Sequence, residues 1–195
     1  MLDFNIILEN SNILLRPIKS TDFQDFPKIT NDKSLWYYFT SDLSNIDELK
    51  IWVETAINDL QNKIRLPFTI FYKPENIIVG STSFGNFSQR DSRIEIGWTW
   101  VSKNYQGKGI NDQVKFLMLQ YCFEKLNLVR VEFKTDVLNV YARNALKRIG
   151  AKEEGILRTH TLMTNNRRRD TIYYSVLKYE WQNIQDIYLK INLGL

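Results

Sequence analysis

Apolar and polar positions change period along this chain. From Arg93 to Trp100 they alternate, with Ile94, Ile96, Trp98 and Trp100 set against Arg93, Glu95, Gly97 and Thr99; this is the two-residue period of a half-buried strand. From Ile110 onward the step becomes three and four, through Val114, Leu117, Met118, Tyr121 and Cys122, and predicts a helix with one apolar face. Alternation returns from Val129 to Lys134. Six residues, Gln106-Gly107-Lys108-Gly109-Ile110-Asn111, join the first strand to the helix. The segment therefore reads strand, glycine turn, helix, strand.

The pattern extends on both sides. Ile13 to Pro17 predicts a first strand, and Thr21 followed by Gln24 has the spacing of a helix capping box. Pro27 keeps that helix short or kinked. A second helix starts near Ser44 or Asn45, with Asp47 and Glu48 in its first turn and an apolar stripe of Ile46, Leu49, Val53, Ala56, Ile57 and Leu60. Leu66 to Tyr72 and Ile77 to Phe87 read as strands joined by Lys73-Pro74-Glu75-Asn76, and with the Glu95 strand they predict an antiparallel meander. Asn139 caps a shorter helix that stops at Gly150. Two strands, over about 152–163 and 170–177, lead into a terminal amphipathic helix. The order β-α-α-β-β-β-α-β-α-β-β-α predicts an α/β fold of the mixed α+β kind: a mixed sheet with helices on both faces and a cleft where strands diverge.

Composition narrows the class. With 195 residues, 44% of them hydrophobic, the chain suffices for one well-cored domain and is short for two, so residues 1–195 are expected to form a single domain. No run of about 18 apolar residues is available to span a bilayer. Asp3 and Glu9 surround a short apolar stretch where a leader would be basic, and a soluble, cytoplasmic protein is expected. Cys122 is the only cysteine and His160 the only histidine, which leaves no multi-ligand His/Cys metal site and no internal disulfide. On the apolar helical face, Cys122 reads as a buried inert thiol. The net charge of +4 comes from 26 basic and 22 acidic residues mixed through the sequence, too mild a balance for a nucleic-acid binder. One basic cluster, Arg167-Arg168-Arg169, follows Asn165-Asn166. It reads as a solvated hairpin turn, the alternative being a contact for a phosphate or an acidic substrate.

The glycine turn carries the chemistry. A turn that opens a helix presents unpaired backbone N–H groups and the positive end of the helix dipole, which together suit a phosphate or pyrophosphate. Gly107 and Gly109 let the main chain approach a ligand without a Cβ in the way. Hydrogen bonds to a charged group contribute about 1.5–3 kcal/mol each, so three or four dominate the affinity for a phosphorylated cofactor. Lys108 either adds a screened charge contact or is simply exposed.

In their order and spacing these residues resemble the GNAT superfamily of acyl-CoA-dependent N-acetyltransferases, in its RimJ/RimL-like branch. The resemblance runs through Leu14-Leu15-Arg16-Pro17, Ile94 to Trp100, Tyr105 to Asn111, Arg130 to Thr135, Asn139, Leu146 to Ala151, Glu154 to Arg158 and Arg169 to Ser175, nearly the whole chain. It implies a GNAT-like central sheet, mixed but mostly antiparallel, of about seven strands. It also implies acetyl-CoA as cosubstrate, with no metal. The pyrophosphate would lie on Gln106, Gly107, Lys108, Gly109, Ile110 and Asn111. The pantetheine arm would run between the strand ending at Val101 and the strand over Val129 to Thr135, bound by backbone at Trp100 and Val101 and by Asn139. The family pattern is met at Gln106 and Gly109 and departs at Asn111, where a glycine or alanine is usual.

Acyl transfer to an amine needs a neutral nucleophile, an acceptor for its proton and stabilisation of the oxyanion. The resemblance makes Glu95 the candidate base; being out of phase with Ile94, Ile96, Trp98 and Trp100, it is expected on the opposite face from all four. Deprotonating an α-amino group at pH 7 costs about 1.1 kcal/mol, against about 4.6 kcal/mol for a lysine amine, so an N-terminal acceptor tolerates a weak base. Ala142 and Leu146 occupy the places where family members carry a serine or tyrosine acid, which leaves water or Tyr141 to protonate the thiolate. The run Leu35-Trp36-Tyr37-Tyr38-Phe39 and Trp52 fall where related enzymes wall the acceptor site. The resemblance implies a protein N-terminal amine of the ribosomal-protein type as acceptor, or a small amine such as a polyamine, amino acid or antibiotic. A non-catalytic acyl-CoA-binding sensor is the rival class. The assembly is expected to be a monomer or homodimer, without nucleic-acid or membrane partners.

Overall fold

Alternation over residues 66–101 folds into the expected meander. Strands β1 (Leu8–Glu9), β2 (Ile13–Pro17), β3 (Leu66–Tyr72), β4 (Ile77–Ser88), β5 (Arg93–Val101), β6 (Arg130–Asp136), β7 (Lys152–Leu162) and β8 (Arg168–Leu177) form one sheet in the order β1-β2-β3-β4-β5-β6-β8-β7. The computed structural model describes residues 1–164 and 166–193. Every neighbouring pair is antiparallel except β5 and β6. Those two run parallel because α3 (Ile110–Gln120) carries the chain back between them. The eighth strand, beyond the seven expected, is β1; two residues are too few to show a period.

Helices α1 (Pro27–Thr30) and α2 (Ile46–Gln61) cover one face of the sheet, through a cluster that includes Phe26, Trp36, Leu49, Trp52, Val53 and Trp100. On the other face, α3, α4 (Val140–Arg148) and α5 (Trp181–Leu193) contribute Val114, Met118, Leu146 and Trp181 to a larger core with Phe84, Ile94, Ile96 and Val131. Asn45 caps α2 as expected, its side chain accepting from the N–H groups of Asp47 and Glu48. Asn139 does the same for α4 through Ala142, and Gly150 follows with φ of 85°. Among the described residues no helix is long and apolar enough to cross a membrane.

Two local expectations fail for identifiable reasons. Thr21 caps no α-helix. Ser20–Gln24 is a 3₁₀ turn, organised by the buried carboxylate of Asp22, which accepts from the Lys19 amide at 2.9 Å, the Arg16 guanidinium at 2.5 and 2.9 Å and the Thr69 hydroxyl at 2.5 Å. A buried carboxylate needs those partners more than a helix end needs a hydroxyl. Ile46 is 51% exposed; the buried stripe of α2 is Leu49, Trp52, Val53 and Ala56.

The feature that positions the site is a bulge in β5. Gly85 pairs with Glu95, Ser83 with Gly97 and Ser81 with Trp100, so two residues along β4 face three along β5. Trp98 takes up the extra residue at φ 51°. Paired residues share a face, which places Glu95, Gly97 and Trp100 on the same side. Trp98 turns that way as well, its ring beneath Arg65 at 5.1 Å and Lys134 at 5.7 Å. Glu95 is thus opposite Ile94 and Ile96 as expected, but not opposite Trp98 and Trp100. Beyond the bulge the parallel pairing stops. Only Arg93, Ile94 and Glu95 pair with Arg130, Val131 and Glu132, and the rest of β5 and β6 splay apart.

Candidate active site

The splayed strands open a cleft of about 1070 Å³, which α3, α4 and residues 35–41 help to wall. At its head stands the glycine turn. Gly107 and Gly109 have φ of 75° and 73°, a conformation that L side chains rarely adopt. A Cβ on either would meet nothing within 4 Å, so the open face of the turn is bare main chain. Residues 106–109 are exposed. None of the N–H groups of residues 107–112 has a backbone partner among the described residues, and no side chain caps α3. Gln106 holds the turn from behind, its Nε2 donating to the Val101 carbonyl at 3.0 Å. Lys108 lies over the Tyr105 ring at 4.6 Å, leaving its charge beside the turn. The Oδ1 of Asn111 is buried, lines the cleft and has no partner among the described residues.

Further along, β5 contributes Trp100 and Val101, 4% and 7% exposed. Trp100 is wedged edge-on between Phe26 and Trp36 at centroid distances of 5.4 and 5.5 Å, which fixes the backbone at the bulge. The Oδ1 of Asn139 accepts from the Ala142 amide at 3.0 Å, and the residue lines the cleft. Ala142, Ala145, Leu146 and Ile149, the apolar face of α4, line it too.

Glu95 lies on the cleft wall, 4% exposed. Its Oε2 is 3.0 Å from the Lys134 ammonium and accepts from Asn86 Nδ2 at 2.7 Å. Its Oε1 is buried without a partner among the described residues. A Cβ at Gly97 would stand 3.0 Å from that oxygen, so a side chain there would crowd it. Tyr141 is 88% exposed, at the rim. The aromatic run divides: Trp36 is core, Leu35, Tyr38, Phe39 and Trp52 reach the cleft, and Tyr37 lies under the Arg167 guanidinium at 5.7 Å.

Residues 12–152 match the family model described as "Acetyltransferase (GNAT) domain". The chain belongs to the GNAT acetyltransferase family. It is an acetyl-CoA-dependent N-acetyltransferase, and the unpartnered amides and the bare glycine faces fit such a cosubstrate. A protein of Bacillus subtilis (strain 168) named "Putative ribosomal N-acetyltransferase YdaF" is 31% identical over 181 residues, spanning 89% of this chain and 95% of that one. A "Spermidine N(1)-acetyltransferase" of Escherichia coli (strain K12) is 25% identical over 171 residues, 87% and 88% of the two chains. A crystal structure of a GCN5-related N-acetyltransferase from Brucella melitensis superposes with a TM-score of 0.85 at 22% identity, over 93% of this chain and 83% of that one, a likeness of fold.

The GNAT cleft also holds charges that the sequence reading passed over. Lys115 of α3 is 5% exposed. Its ammonium donates to the Thr99 hydroxyl at 2.6 Å and the Thr82 hydroxyl at 3.4 Å, and burial lowers its pKa to about 7. The signal was present: Lys115 falls four residues after Asn111 and four before Leu119, inside the apolar sector of the helix. The basic cluster corrects the expectation of a solvated turn, of which Asn165 lies outside the described residues. Arg167 binds the buried Asp136 at 2.5 Å. Arg169 is 9% exposed and lines the cleft; only Arg168 stays in solvent. Both β8 and an acidic partner reach further into the hairpin than its composition indicates.

Proposed function

We propose that this GNAT enzyme is a single domain over residues 1–195 that moves the acetyl group directly from acetyl-CoA to the α-amino terminus of a protein, both substrates being bound together. The observation that carries this reading is a continuous cleft with unpartnered amides of residues 107–112 at one end and, on its wall further in, Glu95, whose buried Oε1 has no hydrogen-bond partner among the described residues. In this assignment Gln106, Gly107, Lys108, Gly109, Ile110 and Asn111 hold the pyrophosphate. Asn139 and the backbone of Trp100 and Val101 align the arm. When bound, acetyl-CoA supplies the activated acyl group and a thiolate leaving group.

The residues' own tasks follow from their partners. Lys134 and Asn86 fix Oε2 of Glu95, leaving Oε1 to take the proton of the amine. Because an α-amine costs only about 1.1 kcal/mol to deprotonate at pH 7, a carboxylate base is sufficient. Tyr141 is the candidate donor to the thiolate from the solvent side, since Ala142 and Leu146 carry no proton. The acceptor assignment also draws on the name of the B. subtilis relative, at 31% identity.

The test is a panel of N-terminal peptides, lysine-side-chain peptides and spermidine, with release of thiol from acetyl-CoA as readout. Peptide α-amines should be acetylated, and Glu95→Gln should lower kcat by about 10²-fold or more while CoA affinity stays within about twofold. Release with spermidine alone would overturn the acceptor assignment. No release with any amine, despite CoA binding, would favour a sensor.

A further inference from the structure

Eight lysine, arginine, aspartate and glutamate side chains line the cleft, and six of them neutralise one another. Asp59 pairs with Arg65 at 2.9 Å, Glu95 with Lys134 at 3.0 Å and Asp112 with Arg148 at 2.9 Å. Two cations remain, Lys115 and Arg169. Lys115 is occupied by two threonine hydroxyls beneath α3. Arg169 is different. Its Nε donates to the Thr171 hydroxyl at 3.0 Å, and no carboxylate lies within ion-pair distance among the described residues.

The nearby carboxylates cannot turn to it without abandoning another group. Asp136 is held by Arg167 and accepts from the Leu138 amide at 2.9 Å. Glu95 is held by Lys134 and Asn86. Asp170 accepts from the Thr159 amide at 2.6 Å. Arg169 is 9% exposed as a residue, and a largely buried cation is costly to leave without an anion; desolvation already lowers its pKa. The terminal nitrogens of Arg169 are not among the buried atoms lacking a partner, so the fork is open to the cleft while the Nε side is anchored.

We propose that Arg169 is a carboxylate subsite for the acceptor, so that the preferred acceptors are amines that also carry a carboxylate close to the nucleophilic nitrogen. This rests on the acetyl-transfer reading of the cleft and deepens it. A planar guanidinium takes a carboxylate through two parallel hydrogen bonds, and its fixed position on β8 sets how far that carboxylate lies from the amine. The same charge acts against a polycation, which brings a second ammonium where an anion is needed. Two sources supply such a group: a free amino acid, or an acidic residue at the start of a peptide.

Calorimetric titration of the full chain with glutamate, with a peptide beginning Glu-Ala, with one beginning Ala-Ala and with spermidine tests this without turnover. Glutamate or the acidic peptide should bind, and which of them binds tighter identifies the source. Arg169→Gln should weaken that binding by about tenfold or more, with Arg169→Lys in between. In turnover, the ratio of kcat/KM for the acidic over the neutral peptide should fall from about ten or more to about one in Arg169→Gln. Should Arg169→Gln melt too low for the assay, Arg169→Lys carries the comparison, because it keeps the charge and loses the fork. Equal binding of glutamate and acidic peptide by wild type and both variants, or tighter binding of spermidine, overturns the proposal. If no amine is acetylated, the acetyl-transfer reading fails while the calorimetric result still decides the role of Arg169.

Discussion

Lys115 places an ammonium where α3 meets the sheet, with hydroxyls and the Phe133 ring around it and no carboxylate partner among the described residues. Below about pH 7 its amine is charged in both the folded and unfolded chains, and the folded state bears the whole cost of burying it. Between about 7 and the ordinary lysine value of 10.5 the unfolded chain holds a proton that the folded chain lacks, so stability contributed by this group rises with pH. Lys115→Met should therefore raise the melting temperature most below pH 7 and progressively less toward pH 10, as thermal melts across that range would show; an equal gain at every pH would mean that the amine is not desolvated. Single residues were also where pattern misled most. Thr21 yielded to Asp22, Ile46 faced solvent, and Arg169 turned out to be buried, because each depends on a partner distant in the chain.

The element on which the proposed cosubstrate site rests is α3 with its leading turn. Its six residues were legible as a glycine turn opening a helix because glycine spacing and helical period are local. The structure adds that both glycines are left-handed, so their lack of a side chain serves the backbone conformation as well as ligand approach. Gly109→Ala should cost about 1 kcal/mol in stability and weaken CoA binding by about tenfold or more, the first read by denaturant unfolding and the second by titration with CoA. Loss of stability with unchanged CoA affinity would place the pyrophosphate elsewhere. At α2, Asn45→Ala removes the acceptor for two N–H groups and should cost about 1 kcal/mol, with no change in CoA affinity.

At the scale of the molecule, one sheet is shared by two apolar clusters, one under α2 and one under α3 and α5. Strands β3, β4 and β5 contribute to both, since Phe71, Ile78 and Trp100 face the first while Phe68, Phe84 and Ile96 belong to the second. A chain built this way should lose both together. Tryptophan fluorescence and far-UV circular dichroism are expected to follow one coincident unfolding transition; two separated transitions would show that residues 1–195 are not one cooperative domain. The bulge and the splay of β5 from β6 also belong to this scale. They decide that Trp98 and Trp100 join Glu95 on one face and that the cleft exists at all.

Local periodicity was enough to place nearly every strand and helix, the meander, the glycine turn and the caps at Asn45 and Asn139, because those depend on neighbours within a few residues. Family membership was legible for the same reason, being carried by ordered short segments. What the tertiary structure alone decided are contacts between distant residues: Glu95 with Lys134, Asp22 with Arg16 and Thr69, Arg167 with Asp136, and two cleft cations, Lys115 and Arg169, without carboxylate partners among the described residues. Charge pairing and burial are properties of positions brought together by the sheet, and no spacing along the chain encodes them.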